Sequence, residues 1–250
     1  MTMKLFSSKN LLVPTGWRIQ VIEKTDSTND HLFRLALEGE ASGLVLVARS
    51  QSKGKGSRGR SFFSPQGGIY LSLLLRDVAP EILSHLTPLA AVALFEALRP
   101  HTAKTLAIKW VNDIYLDGKK LCGILTETKF LGNERISVIG VGINLVAPKD
   151  DYPTEFLHPA AALLTAPDTK VGEDIINTFL CRLSELIKGG ILPPLYKENC
   201  CTLGKEVTLR QGERIIKGQA LDILDNGSLL LRLKDGSLQS FTSGEVTSQI

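Results

Sequence analysis

The stretch KWVNDIYLDGKKLCGIL, residues 109–125, predicts a β-hairpin from which the rest of the fold can be built outward. Apolar runs at residues 106–116 and 121–127 flank the pair Asp117-Gly118. An Asp-Gly pair between two apolar runs is a strong hairpin signal, because both residues tolerate the positive φ angles of a tight turn. We therefore expect two antiparallel strands joined at Asp117-Gly118.

The same hairpin would bring three polar side chains close together. Asn112 and Asp113 lie on the first strand, and Lys120 lies near the start of the second. A carboxylate next to an ammonium group can serve a metal–phosphate site. Asp-Gly-Lys-Lys is also common turn composition, so an ordinary hairpin with solvated charges fits the pattern as well.

Strand-like and helical patterns alternate on both sides of the hairpin. The periodicity predicts strands at residues 18–23, 44–48, 69–75 and 136–141, and helices at residues 32–37, 80–98 and 171–188. Gly189-Gly190 ends the last helix. This mixture predicts one large domain of helices and strands over residues 1–201.

The texture changes after about Cys201. Short strand-like runs at residues 207–210, 215–224, 229–233 and 238–242 are separated by turn signals at residues 211–212, 225–227 and 235–236. About fifty residues of tight hairpins predict a small β-barrel over residues 202–250.

Composition excludes several classes of protein. The chain has 250 residues, 43% of them hydrophobic and 22% charged, with a net charge of +3 that does not by itself predict nucleic-acid binding. Because no signal peptide or membrane span is evident, we expect a cytoplasmic protein. The four cysteines form no CxxC pair, which argues against a structural zinc site.

A basic, glycine-rich loop at residues 51–60, QSKGKGSRGR, is the first candidate binding segment. Its glycines allow a close approach of the backbone to a ligand, and its two lysines and two arginines attract a phosphate or carboxylate. It lacks the GxxxxGK[ST] pattern of a P-loop, and the strand that follows it rules out a Rossmann turn. A mobile surface loop or a nucleic-acid contact stays open for this segment alone.

Two further segments are candidates. The run Gly140-Val141-Gly142-Ile143-Asn144 places glycines inside a strand pattern, which implies close approach by a ligand or another backbone. Ser27-Thr28-Asn29 precedes a helical pattern, where plain helix capping is the simplest interpretation.

Taken together and in this order, these segments resemble the biotin protein ligase family. The resemblance runs from about Val21 to Asn144, and the C-terminal barrel is similar to the SH3-like domain of that family. It implies an α+β fold, in which a mixed sheet packed by helices, as in class II synthetases, carries a small β-barrel. It also implies an activity: biotin and ATP give biotinyl-adenylate and pyrophosphate, and a lysine of a biotin carboxyl carrier protein domain then displaces AMP.

The resemblance also implies roles for particular residues. Ser27, Thr28 and Gln51 would bind the ureido ring, Gly123, Gly140 and Gly142 would admit the bicycle, and Asn144 would contact adenine. Lys120 would neutralise the biotin carboxylate, while Asn112 and Asp113 would lie at the phosphate end, with Asp113 a ligand of Mg²⁺. Phe62 would pack near the adenine once the loop folds. The remaining candidates are Asn29 and the loop residues Gly54, Lys55, Gly56, Ser57, Arg58 and Arg60, and the catalytic set is Lys120, Lys55, Arg58 and Asp113.

The chain departs from the family pattern at three positions. Lys55 and Ser57 stand where the family usually has arginine, and Val111 stands where it usually has proline. Lys55 keeps the charge but loses the bidentate guanidinium fork. We expect Val111 to matter little, because it would lie at the edge of a strand.

Partners and alternatives follow from the same comparison of motifs. Only about twenty residues precede the first predicted strand, so we expect the form without a DNA-binding domain, no membrane partner, and a chain for which a homodimer stays open. A lipoate–protein ligase is the alternative enzyme. A nucleic-acid-binding module using the basic loop is the alternative of another class.

Overall fold

The computed structural model describes residues 4–149, 152–153 and 159–248. Its helices are α1 (Thr28–Leu37), α2 (Pro80–Leu83), α3 (Leu86–Leu98), α4 (Thr169–Gly189) and α5 (Pro194–Glu198). Short 3₁₀ turns occur at Ser8–Asn10, Ser57–Gly59 and Arg99–His101.

The strands form two sheets. The larger sheet contains β1 (Arg18–Ile22), β2 (Leu44–Ala48), β3 (Gly68–Arg76), β4 (Leu106–Lys109), β5 (Asp113–Leu116), β6 (Lys119–Leu131) and β7 (Glu134–Asn144), in the order β1-β2-β3-β7-β6-β5-β4. The smaller contains β8 (Glu206–Gln211), β9 (Arg214–Ile223), β10 (Leu229–Leu233), β11 (Leu238–Phe241) and β12 (Glu245–Ser248), in the order β11-β10-β9-β8-β12. Strands β1 and β2 are parallel and all other pairs are antiparallel, so the larger sheet is mixed as expected.

Helix α3 packs on one face of the larger sheet with α4 against it, and α1 packs on part of the opposite face, next to Leu74 and Val138. Helix α3 is apolar almost all round and nearly every residue in it is buried, whereas α4 presents one apolar side. Buried residues of the smaller sheet belong to the same continuous apolar cluster as those of the larger one. The two sheets therefore share a core, and a division of the chain at residue 201 stays a prediction.

The predicted hairpin is confirmed. Strands β5 and β6 are joined by Asp117 and Gly118, whose φ angles of 48° and 76° are both positive. That combination is typical of the type I′ turn, whose twist matches that of the flanking strands.

The strand predicted at residues 106–116 is wrong as a single element, because it is broken at residues 110–112. Lys109 pairs directly with Asp113, so the intervening residues turn the chain, and the Trp110–Val111 peptide bond is cis. Contacts outside this sheet hold the turn: Trp110 donates to Thr202 Oγ1 and to the Gly227 carbonyl oxygen. Val111 thus lies in a turn and not at a strand edge, and its carbonyl accepts a hydrogen bond from the Tyr196 hydroxyl.

The helix predicted at residues 80–98 is also two elements. Pro88 lies in the first turn of α3 and has no N–H to donate to the carbonyl of Ser84, so a helix cannot continue unbroken through that position. Helix α5 and strand β12 were not predicted, since each is only a few residues long and neither shows a clear apolar period. No helix within the described ranges is long and apolar enough to cross a membrane.

Candidate functional site

One row of residues crosses the open face of the larger sheet. Strand register places Tyr70, Gly142, Gly123, Asp113 and Lys109 side by side on five neighbouring strands. Side chains alternate between the two faces of a sheet, so the adjacent row points into the apolar core. That adjacent row contains Ile108, Ile114, Cys122 and Ile143. The open face therefore carries charge at one end and glycine in its centre.

A bulge puts Lys120 on this open face. Lys120 and Gly123 are three positions apart, a spacing that in a regular strand places them on opposite faces. The register between β5 and β6 shifts between Ile114 and Tyr115, so that Ile114 pairs with Cys122 while Tyr115 pairs with Lys120. The extra residue returns Lys120 to the side of Asp113 and Gly123, where a bulge can direct a side chain into a site.

A cleft of about 500 Å³ lies above this face. It brings together most of the residues predicted from the sequence: Ser27, Thr28, Asn29, Gln51, Lys55, Gly56, Ser57, Arg60, Phe62, Asn112, Lys120, Gly123, Gly140, Gly142 and Asn144. Three predicted residues do not line it. Gly54 packs against Ser64, Arg58 points toward Glu245, and Asp113 lies behind Lys120.

Three glycines form the floor of the cleft, and we call Gly123, Gly140 and Gly142 the glycine floor. A Cβ atom on Gly142 would stand 2.4 Å from the Phe62 ring, and one on Gly140 would stand 2.1 Å from Asn29 Oδ1. Both distances are far below van der Waals contact, so side chains lie directly on the backbone here. Phe62 therefore packs over Gly142 and Gly123, in edge contact with Tyr70.

A buried polar network closes one end of the cleft. Thr28 donates through its N–H and its hydroxyl to Gln51 Oε1, at 2.8 and 3.1 Å. The Ser72 hydroxyl, fully buried, lies 2.7 Å from Thr28 Oγ1 and 2.6 Å from Asn29 Oδ1. Ser27 caps helix α1 by accepting a hydrogen bond from the Asp30 N–H, and it also lines the cleft. The segment Ser27-Thr28-Asn29 therefore both caps a helix and contributes to the cleft.

Asn29 acts as part of the protein wall. Its amide nitrogen donates to Glu127 Oε2 and to the Leu125 carbonyl oxygen, and its oxygen lies within hydrogen-bond distance of Ser72. Both amide hydrogens and one acceptor position of the oxygen are thus used within the protein. The absence of a side chain at Gly140 gives this amide its place.

The other end of the cleft is charged. Lys120 Nζ lies 2.7 Å from Asp113 Oδ1, and Asn112 donates to the Ile124 carbonyl oxygen. Lys109 Nζ is 3.3 Å from the Tyr115 hydroxyl oxygen, and burial lowers the pKa of Lys109. Two lysines therefore stand on either side of one carboxylate.

The basic loop is held at both sides by ion pairs. Lys55 pairs with Asp30 of α1, and this hydrogen bond raises the pKa of the Lys55 ammonium group. Arg60 lies 2.5 Å and Arg58 3.8 Å from carboxylate oxygens of Glu245 on β12. The smaller sheet thus contacts the loop directly.

A metal would find few protein ligands at this site. Among the described residues, no three His, Cys, Asp or Glu side chains cluster as a metal centre. Asp113 Oδ1 is buried and lies 2.7 Å from Lys120 Nζ, so a metal ion bound there would share or replace that ion pair. Mg²⁺ commonly takes only one or two carboxylates together with substrate phosphates, and a single carboxylate fits that habit.

Sequence analysis missed Ser64, Ser72, Lys109, Glu127 and Glu245. Ser72, Glu127 and Glu245 contact site residues that are far away in the sequence, and nothing in their local sequence marks them. Lys109 could have been predicted, because a turn at residues 110–112 places it directly opposite Asp113 on the neighbouring strand.

Comparisons with known proteins agree with this arrangement. The model of the biotin/lipoate A/B protein ligase family matches residues 21–144, and that of the biotin protein ligase C-terminal domain matches residues 202–247.

Individual proteins are also similar. A biotin–[acetyl-CoA-carboxylase] ligase of Paracoccus denitrificans is 32% identical over 85% of this chain and 93% of that protein. A bifunctional ligase/repressor BirA of Bacillus spizizenii is 33% identical over 84% of this chain and 68% of that protein. The structure of a biotin protein ligase from Aquifex aeolicus in complex with biotin and ATP superposes with a TM-score of 0.74 at 27% identity, covering 93% of this chain and 98% of that one.

Proposed function

The chain belongs to the biotin/lipoate A/B protein ligase family, and we propose that it activates biotin with ATP and transfers it to a lysine of a biotin carboxyl carrier protein domain. One observation carries the proposal. A single cleft has a polar end at Thr28 and Gln51, a glycine floor, and a charged end at Lys120, whose ammonium group pairs with Asp113. Biotin has the matching sequence of groups: a cyclic urea, an apolar bicycle and chain, and a carboxylate.

In the first step, a carboxylate oxygen of biotin attacks the α-phosphorus of ATP. A new P–O bond forms as the bond to pyrophosphate breaks, giving a mixed acyl-phosphate anhydride. Two anions must meet for this to happen, and their repulsion opposes the reaction. Lys120, on the open face between Asp113 and Gly123, supplies the compensating positive charge.

In the second step, the amine of the carrier lysine attacks the activated carbonyl carbon and AMP leaves. The amine must be neutral to attack and must lose a proton as the amide forms. Asp113 stands beside Lys120 and helps to orient the incoming amine, whose proton passes to solvent. No covalent enzyme intermediate is needed, so positioning and electrostatics carry the rate.

The loop and the end of β7 complete the nucleotide site in this proposal. Lys55, Arg58 and Arg60 bring positive charge to the rim of the cleft, and Asn144, at the end of β7, contacts adenine. Phe62 lies over Gly123 and Gly142 in the free chain, so it packs nearer the biotin end than the adenine position expected for it.

Asp113 is the residue that would hold Mg²⁺, together with phosphate oxygens and water. The ion would neutralise phosphate charge when bound. The side-chain amide nitrogen of Asn112 donates to the Ile124 carbonyl oxygen, and its side-chain oxygen would contact the phosphates or the ion.

Partners and location complete the proposal. The carrier domain approaches the charged end of the cleft, where its lysine must reach. A cytoplasmic location, the lack of a DNA or membrane partner, and the choice between monomer and homodimer stay predictions.

Lipoate is the alternative acid, since the catalytic family model covers both ligases. The match of residues 202–247 to the biotin protein ligase C-terminal domain favours biotin. Pyrophosphate release measured with ATP, Mg²⁺ and either acid decides between them. Biotin should drive turnover and label one lysine of a carrier domain, and mass spectrometry of the purified protein should find bound biotinyl-adenylate. Turnover with lipoate alone would move the assignment to the alternative.

A further inference from the structure

Ser64 lies four residues after the basic loop, and its hydroxyl group contacts Gln51, where that loop begins, and Phe62, just after it ends. It is 4% exposed, and its Oγ lies 2.8 Å from the Phe62 carbonyl oxygen and 2.9 Å from Gln51 Nε2. A carbonyl oxygen only accepts, so the single hydroxyl hydrogen of Ser64 points to Phe62. Ser64 must therefore accept its other hydrogen bond from the Gln51 amide nitrogen.

The amide of Gln51 is thereby oriented at both ends. Its oxygen accepts from the backbone N–H of Thr28, which only donates, and from the Thr28 hydroxyl. Its nitrogen faces Ser64. The single hydroxyl hydrogen of Ser72 points to Asn29 Oδ1, which only accepts, so Ser72 does not set the direction of this chain of hydrogen bonds. The hydrogen bonds that orient the amide run from the Thr28 N–H through Gln51 and Ser64 to the Phe62 carbonyl oxygen.

Little space exists for another arrangement. A Cβ atom on Gly54 would stand 2.4 Å from both Ser64 Oγ and the Phe62 carbonyl oxygen, and 3.0 Å from Gln51 Nε2. The backbone of Gly54 thus presses on the Ser64 group, and Phe62 donates its own N–H to the Gly54 carbonyl. If the hydroxyl group of Ser64 were removed, no neighbouring side chain has room to take over its hydrogen bonds.

This orientation determines what the cleft offers to a ligand. The Gln51 nitrogen carries two hydrogens, and only one of them reaches an acceptor, Ser64, in the described part of the chain. Gln51 lines the cleft, so the second hydrogen is available there. With the amide turned over, an oxygen would take that place, and a donor would become an acceptor.

We propose that Ser64 is a positioning residue for biotin recognition: its hydroxyl group fixes the orientation of the Gln51 amide that meets the cyclic urea. The inference rests on the proposed function. Through the Phe62 carbonyl, the same hydroxyl joins the urea end of the cleft to the loop. Ser64 does not touch the ligand and acts only through Gln51.

The test compares Michaelis constants for the two substrates in pyrophosphate release. Ser64→Ala should raise KM for biotin about 5- to 10-fold, the size of one neutral hydrogen bond, and leave KM for ATP within about twofold. Ser52→Ala is the matched control, because Ser52 is an exposed serine of the same loop and should change neither constant. Gln51→Glu, which keeps the shape but removes both amide hydrogens, should raise KM for biotin at least as much, and it serves should Ser64→Ala fail to fold.

A double-mutant cycle separates positioning from simple loop support. If Ser64 acts through Gln51, then Ser64→Ala in a Gln51→Ala background should add less than twofold to KM for biotin. An unchanged penalty in that background, or equal rises in both Michaelis constants, would overturn the inference. Wild-type enzyme that releases no pyrophosphate with biotin would instead overturn the proposed function, which distinguishes the two failures.

Discussion

Lys120 Nζ lies 2.7 Å from Asp113 Oδ1, across a hairpin whose bulge turns Lys120 to the face of the sheet that carries Asp113. The pair is well shielded, since the Lys120 side chain is 27% and that of Asp113 14% exposed. A shielded ammonium group on this face meets a substrate carboxylate more strongly than an exposed one would. This relationship leads to the first prediction.

Lys120→Ala should lower the rate of adenylation roughly 10²–10³-fold, because it removes a charge-assisted donor at the reacting centre. Single-turnover formation of the adenylate is the measurement. Lys119→Ala is the matched control, since Lys119 is the exposed neighbour at the start of β6 and should change the rate little. A Lys120→Ala enzyme within a few fold of wild type would contradict a catalytic role for the hairpin.

Gly142→Ala should reduce kcat/KM for biotin at least about tenfold, because the new methyl group would meet the Phe62 ring at 2.4 Å and displace it. Gly189→Ala provides the control: it ends helix α4 with no neighbouring atom within 4 Å of the added methyl. Thermal unfolding of both variants should be followed as well. Unchanged kinetics for Gly142→Ala would mean that the glycine floor does not hold the substrate.

Glu245→Gln should loosen the basic loop in the free protein, since it removes the carboxylate that pairs with Arg60 and Arg58. The Arg60 side chain is 45% exposed, so the pair contributes about 0–1 kcal/mol at most. Trypsin cleavage within residues 53–60 should therefore become only a few-fold faster. Glu206→Gln, an exposed glutamate of the same small sheet, should leave the cleavage rate alone.

Ligands should protect the same loop. Ordering a residue costs about 1–2 kcal/mol, and each charge-assisted hydrogen bond to an adenylate returns about 1.5–3 kcal/mol. Biotin plus ATP should therefore suppress trypsin cleavage at residues 53–60, while either substrate alone protects less. Equal cleavage with and without both substrates would contradict closure of the loop over the intermediate.

A chain ending at Cys201 should lose at least about tenfold in activity and melt at a lower temperature than the full chain. Removal of the smaller sheet exposes Trp110, which is 2% exposed in the full chain and donates to the Gly227 carbonyl oxygen. It also removes buried residues from the core that the two sheets share. Circular dichroism melting and pyrophosphate release on the same preparation give both results. A truncated chain with full activity would show that the small sheet has no part in catalysis.

The local sequence by itself determined the elements and the chemistry they carry. Asp117-Gly118 between apolar runs fixed the hairpin, because both residues take positive φ angles in the turn. Leu44–Ala48 and Leu229–Leu233 were predicted to the residue, since short, mostly apolar runs bounded by turn signals have few other solutions. The order of the motifs along the chain is enough to indicate the family.

Only the tertiary structure decided which side chains meet. The bulge that turns Lys120 toward Gly123 depends on the register between two strands, and no periodicity in a single strand reveals it. Asn29 reached its place over Gly140, and Glu245 its place beside Arg60, through contacts between residues over a hundred positions apart in the chain. The local sequence pattern determines the backbone conformation of each segment, whereas such contacts depend on how complete helices and strands pack. For this reason the contacts of Asn29 in the cleft and of Glu245 with the basic loop could not be predicted from the sequence.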